Sequence, residues 1–209
     1  MAYNHNRPAG GASETGAQPA GKRTGTPAGP RALRLFTALW PDESTQRALA
    51  RLRDAQHWPD EARPVDDANL HLTLVFLGQV AQSQLPALTD RLAAVQSQPF
   101  ELCLDRIETW GDGLVVLCPP RSPAGLMHLH DRLREISRDL GLPLESRAYR
   151  PHVTLARSAA RGRRRAGGTA LVQPDSPLRW CVRDFVLAQS RPSEPYRLLH
   201  RFGGARPLG

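Results

Sequence analysis

The sequence predicts an α+β fold of two lobes, with antiparallel sheets facing a central groove and helices on the outside. Three observations carry that expectation. Short apolar runs with strand alternation are interleaved with stripes at helical spacing. The connections between strands are too short for the crossovers of a doubly wound sheet. The pattern His-apolar-Thr-Leu also occurs twice, once in each half, as His71-Leu72-Thr73-Leu74 and His152-Val153-Thr154-Leu155.

The elements follow in order. Arg34 to Trp40 reads as the first strand. Pro41-Asp42-Glu43-Ser44 starts a helix, with Asp42 or Ser44 as N-cap and Ala48, Leu49 and Leu52 on its apolar face. Residues 59–64 form a loop. Asn69 to Leu77 is the first motif strand, closed by Gly78, and Gln82 to Val95 is a second helix with Leu85, Leu88, Leu92 and Val95 on one stripe. Phe100 to Trp110 alternates as a single strand. It turns at Gly111-Asp112-Gly113 into Leu114 to Cys118, since Asp-Gly between two such runs is a hairpin signal. Ala124 to Leu140 is the longest helix, ended by Gly141. Pro151 to Arg157 is the second motif strand, Arg161 to Gly168 a loop, Trp180 to Gln189 one further strand, and Tyr196 to Phe202 the last.

Composition bounds the rest. Ten of the chain's Gly and Pro residues fall in residues 1–32, which lack apolar periodicity; that segment reads as a disordered tail, and 33–209 as the folded domain. The tail has no apolar core of a secretory signal, and no stretch is long and apolar enough to span a membrane. Net charge is +8, and all but one of the 28 basic residues are Arg. That balance favours a polyanionic partner such as nucleic acid, although an Arg-for-Lys bias alone carries modest weight. Cys103, Cys118 and Cys181 have no metal-ligand spacing and read as buried free thiols of a reducing compartment, so a cytoplasmic location and a monomer are expected.

The doubled motif carries the chemistry. On a strand, residues two apart share a face, so each His lies beside its Thr while the intervening apolar residues face a core. With seven His and ten Thr in the chain, chance supplies roughly a third of one His-x-Thr. Two copies, each followed by Leu on a strand, exceed that. An imidazole near its unperturbed pKa serves as base or as acid at neutral pH, and two of them suit in-line displacement at phosphorus. Donors must then meet the charge on the equatorial oxygens, and Thr73, Thr154 and Arg157 are the candidates. Arg157 lies five residues after His152, so a straight strand turns it away; a bulge is needed to bring it in. Phe76, also at an odd offset from its His, packs in the core on the same logic. No carboxylate cluster adjoins either His, so neither a metal nor any other cofactor is expected. His5, His57, His128, His130 and His200 have no such context and read as surface or structural.

At these residues the chain resembles the 2H phosphoesterases, and within them the RNA 2′,3′-cyclic phosphodiesterases formerly named 2′-5′ RNA ligases. The resemblance spans roughly residues 33–202. It rests on Arg34-Leu35-Phe36, on Asn69-Leu70-His71-Leu72-Thr73-Leu74-Val75-Phe76-Leu77-Gly78, on Trp110-Gly111 through Leu117, and on Arg150-Pro151-His152-Val153-Thr154-Leu155-Ala156-Arg157. It implies a pseudo-twofold fold and metal-independent hydrolysis of RNA 2′,3′-cyclic phosphate ends to 2′-phosphomonoesters. His71 is then the proton donor, His152 the proton acceptor, and Thr73, Thr154 and Arg157 the phosphate holders. Two other readings stay open: 2′-5′ ligation at the same site, and a non-catalytic protein that binds RNA ends. The Arg161-Gly162-Arg163-Arg164-Arg165 run departs from the family pattern. It reads as a solvated loop, with an RNA-backbone track as the alternative.

Overall fold

A computed structural model of the chain describes residues 32–111, 113–157 and 171–203. Residues 1–31 of the expected tail and the Arg161–Arg165 run therefore lie outside the described residues, while Ala32, the last residue assigned to the tail, opens the first strand. Ten strands and three helices occur in the described part: β1 (Ala32–Leu39), α1 (Glu43–Asp54), β2 (Arg63–Pro64), β3 (Leu72–Ala81), α2 (Leu85–Ala93), β4 (Phe100–Leu104), β5 (Arg106–Trp110), β6 (Leu114–Cys118), α3 (Ala124–Asp139), β7 (Val153–Arg157), β8 (Leu178–Val182), β9 (Asp184–Ser190) and β10 (Arg197–Gly203).

Local chemistry sets the helix ends. The Asp42 carboxylate accepts the Thr45 backbone N–H at 2.7 Å and caps α1, with Glu43 in its first turn and Arg51 and Arg53 in its last, matching the helix dipole. After α3, Gly141 takes φ +65°. Its N–H donates to the Arg138 carbonyl, and that of Leu142 donates to the Ser137 carbonyl. This left-handed cap ends the helix where the Gly predicted it would end.

The larger sheet is antiparallel and runs β10-β9-β1-β3-β7-β6-β5, with β2 also on β7. It consists of two half-sheets, one from each half of the motif pair. They meet at β3 and β7 through a single residue pair, Leu72 with Val153. Beyond that pair the strands diverge, and the groove opens between them. The two lobes are thus halves of one sheet rather than separate sheets. A second sheet, β4-β8, is small.

The apolar face of the motif strands makes the core. Leu72, Leu74, Val153 and Leu155 are buried with Leu49 of α1, Leu88 and Leu92 of α2, Leu126, Leu129, Leu133 and Ile136 of α3, and Leu102, Leu104 and Trp180 of the small sheet. Burying each such side chain contributes about 1.5–3 kcal/mol. The helices and the small sheet thus cover one face of the large sheet, and the other face carries the groove.

Five expectations need correction. The run 100–110 is two strands that break at Asp105, and the run 180–189 is two that break at Arg183; each run leaves the small sheet and enters the large one across one residue. Residues 63–64, expected as loop, pair with Ala156 and Arg157 as β2. Cys181 is exposed and Cys103 half-exposed, because both sit on the outer face of the small sheet; only Cys118 is buried. Phe76 is 46% exposed and lines the groove instead of packing in the core.

Candidate active site

His71 and His152 stand one residue before β3 and β7, at the threshold of the strands rather than within them. Because Leu72 is paired with Val153, the antiparallel register sets Thr73 beside His152 and Thr154 beside His71. All four side chains share the face opposite the buried Leu72 and Val153. They line one cavity of about 570 Å³ together with Arg157 and Tyr196.

Each imidazole is held the same way. His71 Nδ1 lies 2.6 Å from the Asn69 carbonyl oxygen, and His152 Nδ1 lies 2.7 Å from that of Arg150. In both motifs the acceptor is the residue two before the His. A carbonyl only accepts, so Nδ1 carries the proton in each ring and Nε2 is the nitrogen left for proton transfer. His71 Nε2 lies 3.0 Å from the Thr73 hydroxyl oxygen.

The surroundings of the two rings differ. His71 stacks on Trp40, with ring centres 5.2 Å apart and planes at 7°, and meets Tyr196 edge-on at 5.2 Å and Phe36 at 5.2 Å. Burial in this aromatic box pushes its pKa down to about 4; the Asn69 carbonyl opposes the shift, and Arg157 and His152 add to it. His152 meets Trp110 edge-on at 4.8 Å, and Arg150 lies over that indole at 3.8 Å from its centre. Its pKa is also lowered, by burial first, with the Arg150 and Arg157 guanidinium groups adding to the shift and the Arg150 carbonyl opposing it. Both imidazoles of the free protein are therefore neutral at pH 7.

Arg157 reaches the groove by the bulge that the spacing requires. On β6, Val116 is opposite Thr154 and Val115 is opposite Ala156, so Leu155 is the extra residue. Leu155 and Ala156 are both buried, the alternation slips by one, and Arg157 returns to the face of Thr154. All five predicted site residues thus converge on one cavity.

Sequence reasoning missed the supporting shell: Trp40, Phe36 and Tyr196 around His71, and Trp110 with Arg150 around His152. The common spacing Asn69-x-His71 and Arg150-x-His152 was the available signal for the carbonyl partners. Tyr149 was also missed. Its hydroxyl donates to the Thr73 carbonyl at 3.2 Å, and its ring stacks on the buried His130 at 3.9 Å, so it ties the approach to the second motif to the first motif strand. Among the described residues, no three His, Cys, Asp or Glu side chains are grouped to hold a metal ion, and no helix is long and apolar enough to cross a membrane.

Comparison with known proteins agrees with this geometry. The RNA 2′,3′-cyclic phosphodiesterase of Escherichia coli (strain K12) is 36% identical over 129 residues, covering 61% of this chain and 73% of that protein. The protein of the same name from Thermus thermophilus is 30% identical over 188 residues, 81% of this chain and 89% of its own. The crystal structure of E. coli LigT complexed with 3′-AMP superposes with a TM-score of 0.74 at 28% identity, covering 84% of this chain and 99% of LigT. A model of the 2′-5′ RNA ligase superfamily matches residues 41–194. Two His-x-Thr motifs on paired strands, in this fold and with these relatives, mean that the chain belongs to the 2′-5′ RNA ligase superfamily.

Proposed function

We propose that the chain is an RNA 2′,3′-cyclic phosphodiesterase that opens cyclic phosphate ends to 2′-phosphomonoesters without a metal. The observation that carries this reading is the matched pair of imidazoles. Both have Nδ1–H tied to a backbone carbonyl, and they flank one groove at the single join of two half-sheets. The relatives named for this activity support it.

The cyclic phosphate sits between the histidines, its non-bridging oxygens held by the hydroxyls of Thr73 and Thr154 and by Arg157. His152 Nε2 takes a proton from water as the water oxygen bonds to phosphorus. The bond from phosphorus to the 3′ oxygen breaks on the opposite side, and His71 Nε2–H gives that oxygen its proton. The products are a 2′-phosphomonoester and a free 3′ hydroxyl. The depressed pKa of His71 bears on the acid step. Burial leaves the ring neutral in the free protein, so the proton it donates must arrive with the substrate. A bound phosphate anion supplies the compensating charge, offsetting the repulsion from Arg157 and His152 that adds to the shift. The same groove with an RNA 5′ hydroxyl in place of water gives a 2′-5′ linkage, which is ligation as a side reaction.

Incubation with an oligonucleotide ending in a 2′,3′-cyclic phosphate, in the presence of a chelator, tests the reading. The expected product is a 2′-phosphate end. A 3′-phosphate end, or no turnover until metal is added, rules it out; a product joined to a 5′-hydroxyl oligonucleotide would reassign the main activity to ligation.

A further inference from the structure

The residue two before each motif histidine supports that histidine twice, once through its backbone and once through an aromatic neighbour. In the first motif the Asn69 carbonyl accepts His71 Nδ1–H at 2.6 Å, while the Asn69 side-chain oxygen accepts the Tyr196 backbone N–H at 3.0 Å. The Tyr196 ring then meets His71 edge-on, at 5.2 Å between centres and 89°. In the second motif the Arg150 carbonyl accepts His152 Nδ1–H at 2.7 Å, while the Arg150 guanidinium lies over the Trp110 ring at 3.8 Å. Trp110 then meets His152 edge-on, at 4.8 Å between centres and 63°. Glu108 completes this second clamp: it accepts the Trp110 indole N–H at 2.6 Å and lies 3.5 Å from the guanidinium. The indole is thus held on its face by a cation and at its nitrogen by a carboxylate. The two clamps share a plan and differ in charge: Asn69 is neutral and Arg150 is not.

That difference falls on one ring. His71, Arg157 and Glu145 share the groove with His152. Arg134, Arg147 and His130 line the cavity on its other side, and Glu108 stands behind Trp110. Among the described residues, the charges that bear on His152 are Arg150 and Arg157, and Arg157 bears on His71 as well. Arg150 is therefore what separates the two imidazoles electrostatically. The separation matters when substrate arrives, because a phosphate anion favours protonation of both rings, and the base must stay neutral to act. We infer that Arg150 is the positioning residue that makes His152 the base: its carbonyl fixes the tautomer, its stack on Trp110 fixes the ring, and its cation bears on His152 and not on His71. Asn69 gives His71 the same support without a charge, so that ring is the one free to take up the proton it later donates.

This inference rests on the proposed hydrolysis, and its test has one arm that needs no turnover. The Arg150 side chain is exposed, so Arg150→Met and Arg150→Lys keep the wild-type Tm. On a nucleoside 2′,3′-cyclic phosphate, Arg150→Met loses roughly 10- to 100-fold in kcat, the cost of a loosened base, with KM little changed. The acidic limb of kcat/KM moves to higher pH, because His152 without the cation binds protons more readily, and the alkaline limb stays. Arg150→Lys keeps the charge, so it returns the acidic limb to its wild-type place with part of the rate. A merely structural role would move neither limb. Nitrogen-15 spectra of the imidazoles in the free protein read the same effect: in Arg150→Met the titration of His152 moves up in pH and that of His71 stays. An unchanged kcat, an unmoved His152 titration, or equal movement of both rings overturns the inference. Absence of hydrolysis in the wild type would sink the proposed reaction, while the spectra still decide whether Arg150 separates the two imidazoles.

Discussion

Replacing Arg157 with Gln removes a guanidinium that does two things at once. In the proposed reaction it faces the phosphate held between the histidines, and loss of one such positioned donor costs about 10²- to 10³-fold in kcat, or about 3–4 kcal/mol. Arg157 is exposed at the groove edge, where water partly replaces it, so the lower end, about 100-fold, is the expectation. In the free enzyme its charge lowers the pKa of both His71 and His152. Without it both rings bind protons more readily. The base must be neutral to act, so the acidic limb of kcat/KM moves to higher pH; the acid keeps its proton longer, so the alkaline limb moves the same way. The assay is kcat/KM for a nucleoside 2′,3′-cyclic phosphate from about pH 4 to about pH 9. Arg157→Lys restores the limbs but not the full rate, because an ammonium keeps the charge and loses the fork. Arg157→Gln within threefold of wild type, with both limbs unmoved, would refute the placement of Arg157 on the phosphate.

Three further outcomes follow from the same geometry. Tyr149→Phe keeps the ring on His130 and removes the hydroxyl bond to the Thr73 carbonyl; it costs about 1 kcal/mol in urea unfolding and lowers kcat more than it raises KM, since what loosens is the alignment of the two motifs. Gly78→Ala meets Pro143 Cγ at 2.9 Å from a backbone at φ +69°, and it destabilises by about 1–3 kcal/mol in the same measurement. Binding of a 2′-phosphomonoester takes up a proton, because the pKa of His71 rises from about 4 when an anion enters; titration calorimetry in buffers of different ionisation enthalpy reads the uptake, and His71→Phe or His71→Ala reduces it.

The acid limb of stability has a fixed sign. His71 is held near 4 when folded and titrates near 6.5 when free, so the unfolded chain binds the proton first. Stability contributed by the neutral ring is therefore lost as pH falls from about 6.5 toward about 4, and Tm measured at the lower end of that window is depressed relative to pH 7.

The parts of the fold written in local chemistry were legible. The Asp42 cap, the Gly141 stop, the Gly111–Gly113 hairpin and the apolar stripes of α1 and α3 depend on neighbours in sequence. Two runs misled because their alternation passes through a change of sheet: one residue, Asp105 or Arg183, is too brief an interruption to break a period of two. The pair of histidines was legible because its chemistry repeats. The bulges were half legible. The need for one at Arg157 followed from counting, since a charged residue assigned to the groove stood at the wrong parity. The same count at Phe76 led to the opposite conclusion, because an aromatic at core parity raises no conflict. Only the register with β1 exposes the slip at Leu74. The aromatic box around His71 was out of reach for a different reason: Trp40, Phe36 and Tyr196 come from β1 and its end and from the approach to β10, far apart in the chain.

The central claim is that His71 is the acid and His152 the base. A 3′-thio analogue of the cyclic phosphate separates them, because a departing thiolate needs no proton. With His71 as the acid, His71→Ala, inactive on the oxygen substrate, regains most of the wild-type rate on the thio substrate, while His152→Ala stays inactive on both. Rescue of His152→Ala with no rescue of His71→Ala would reverse the assignment, and full activity of either variant on the oxygen substrate would contradict the two-histidine mechanism itself.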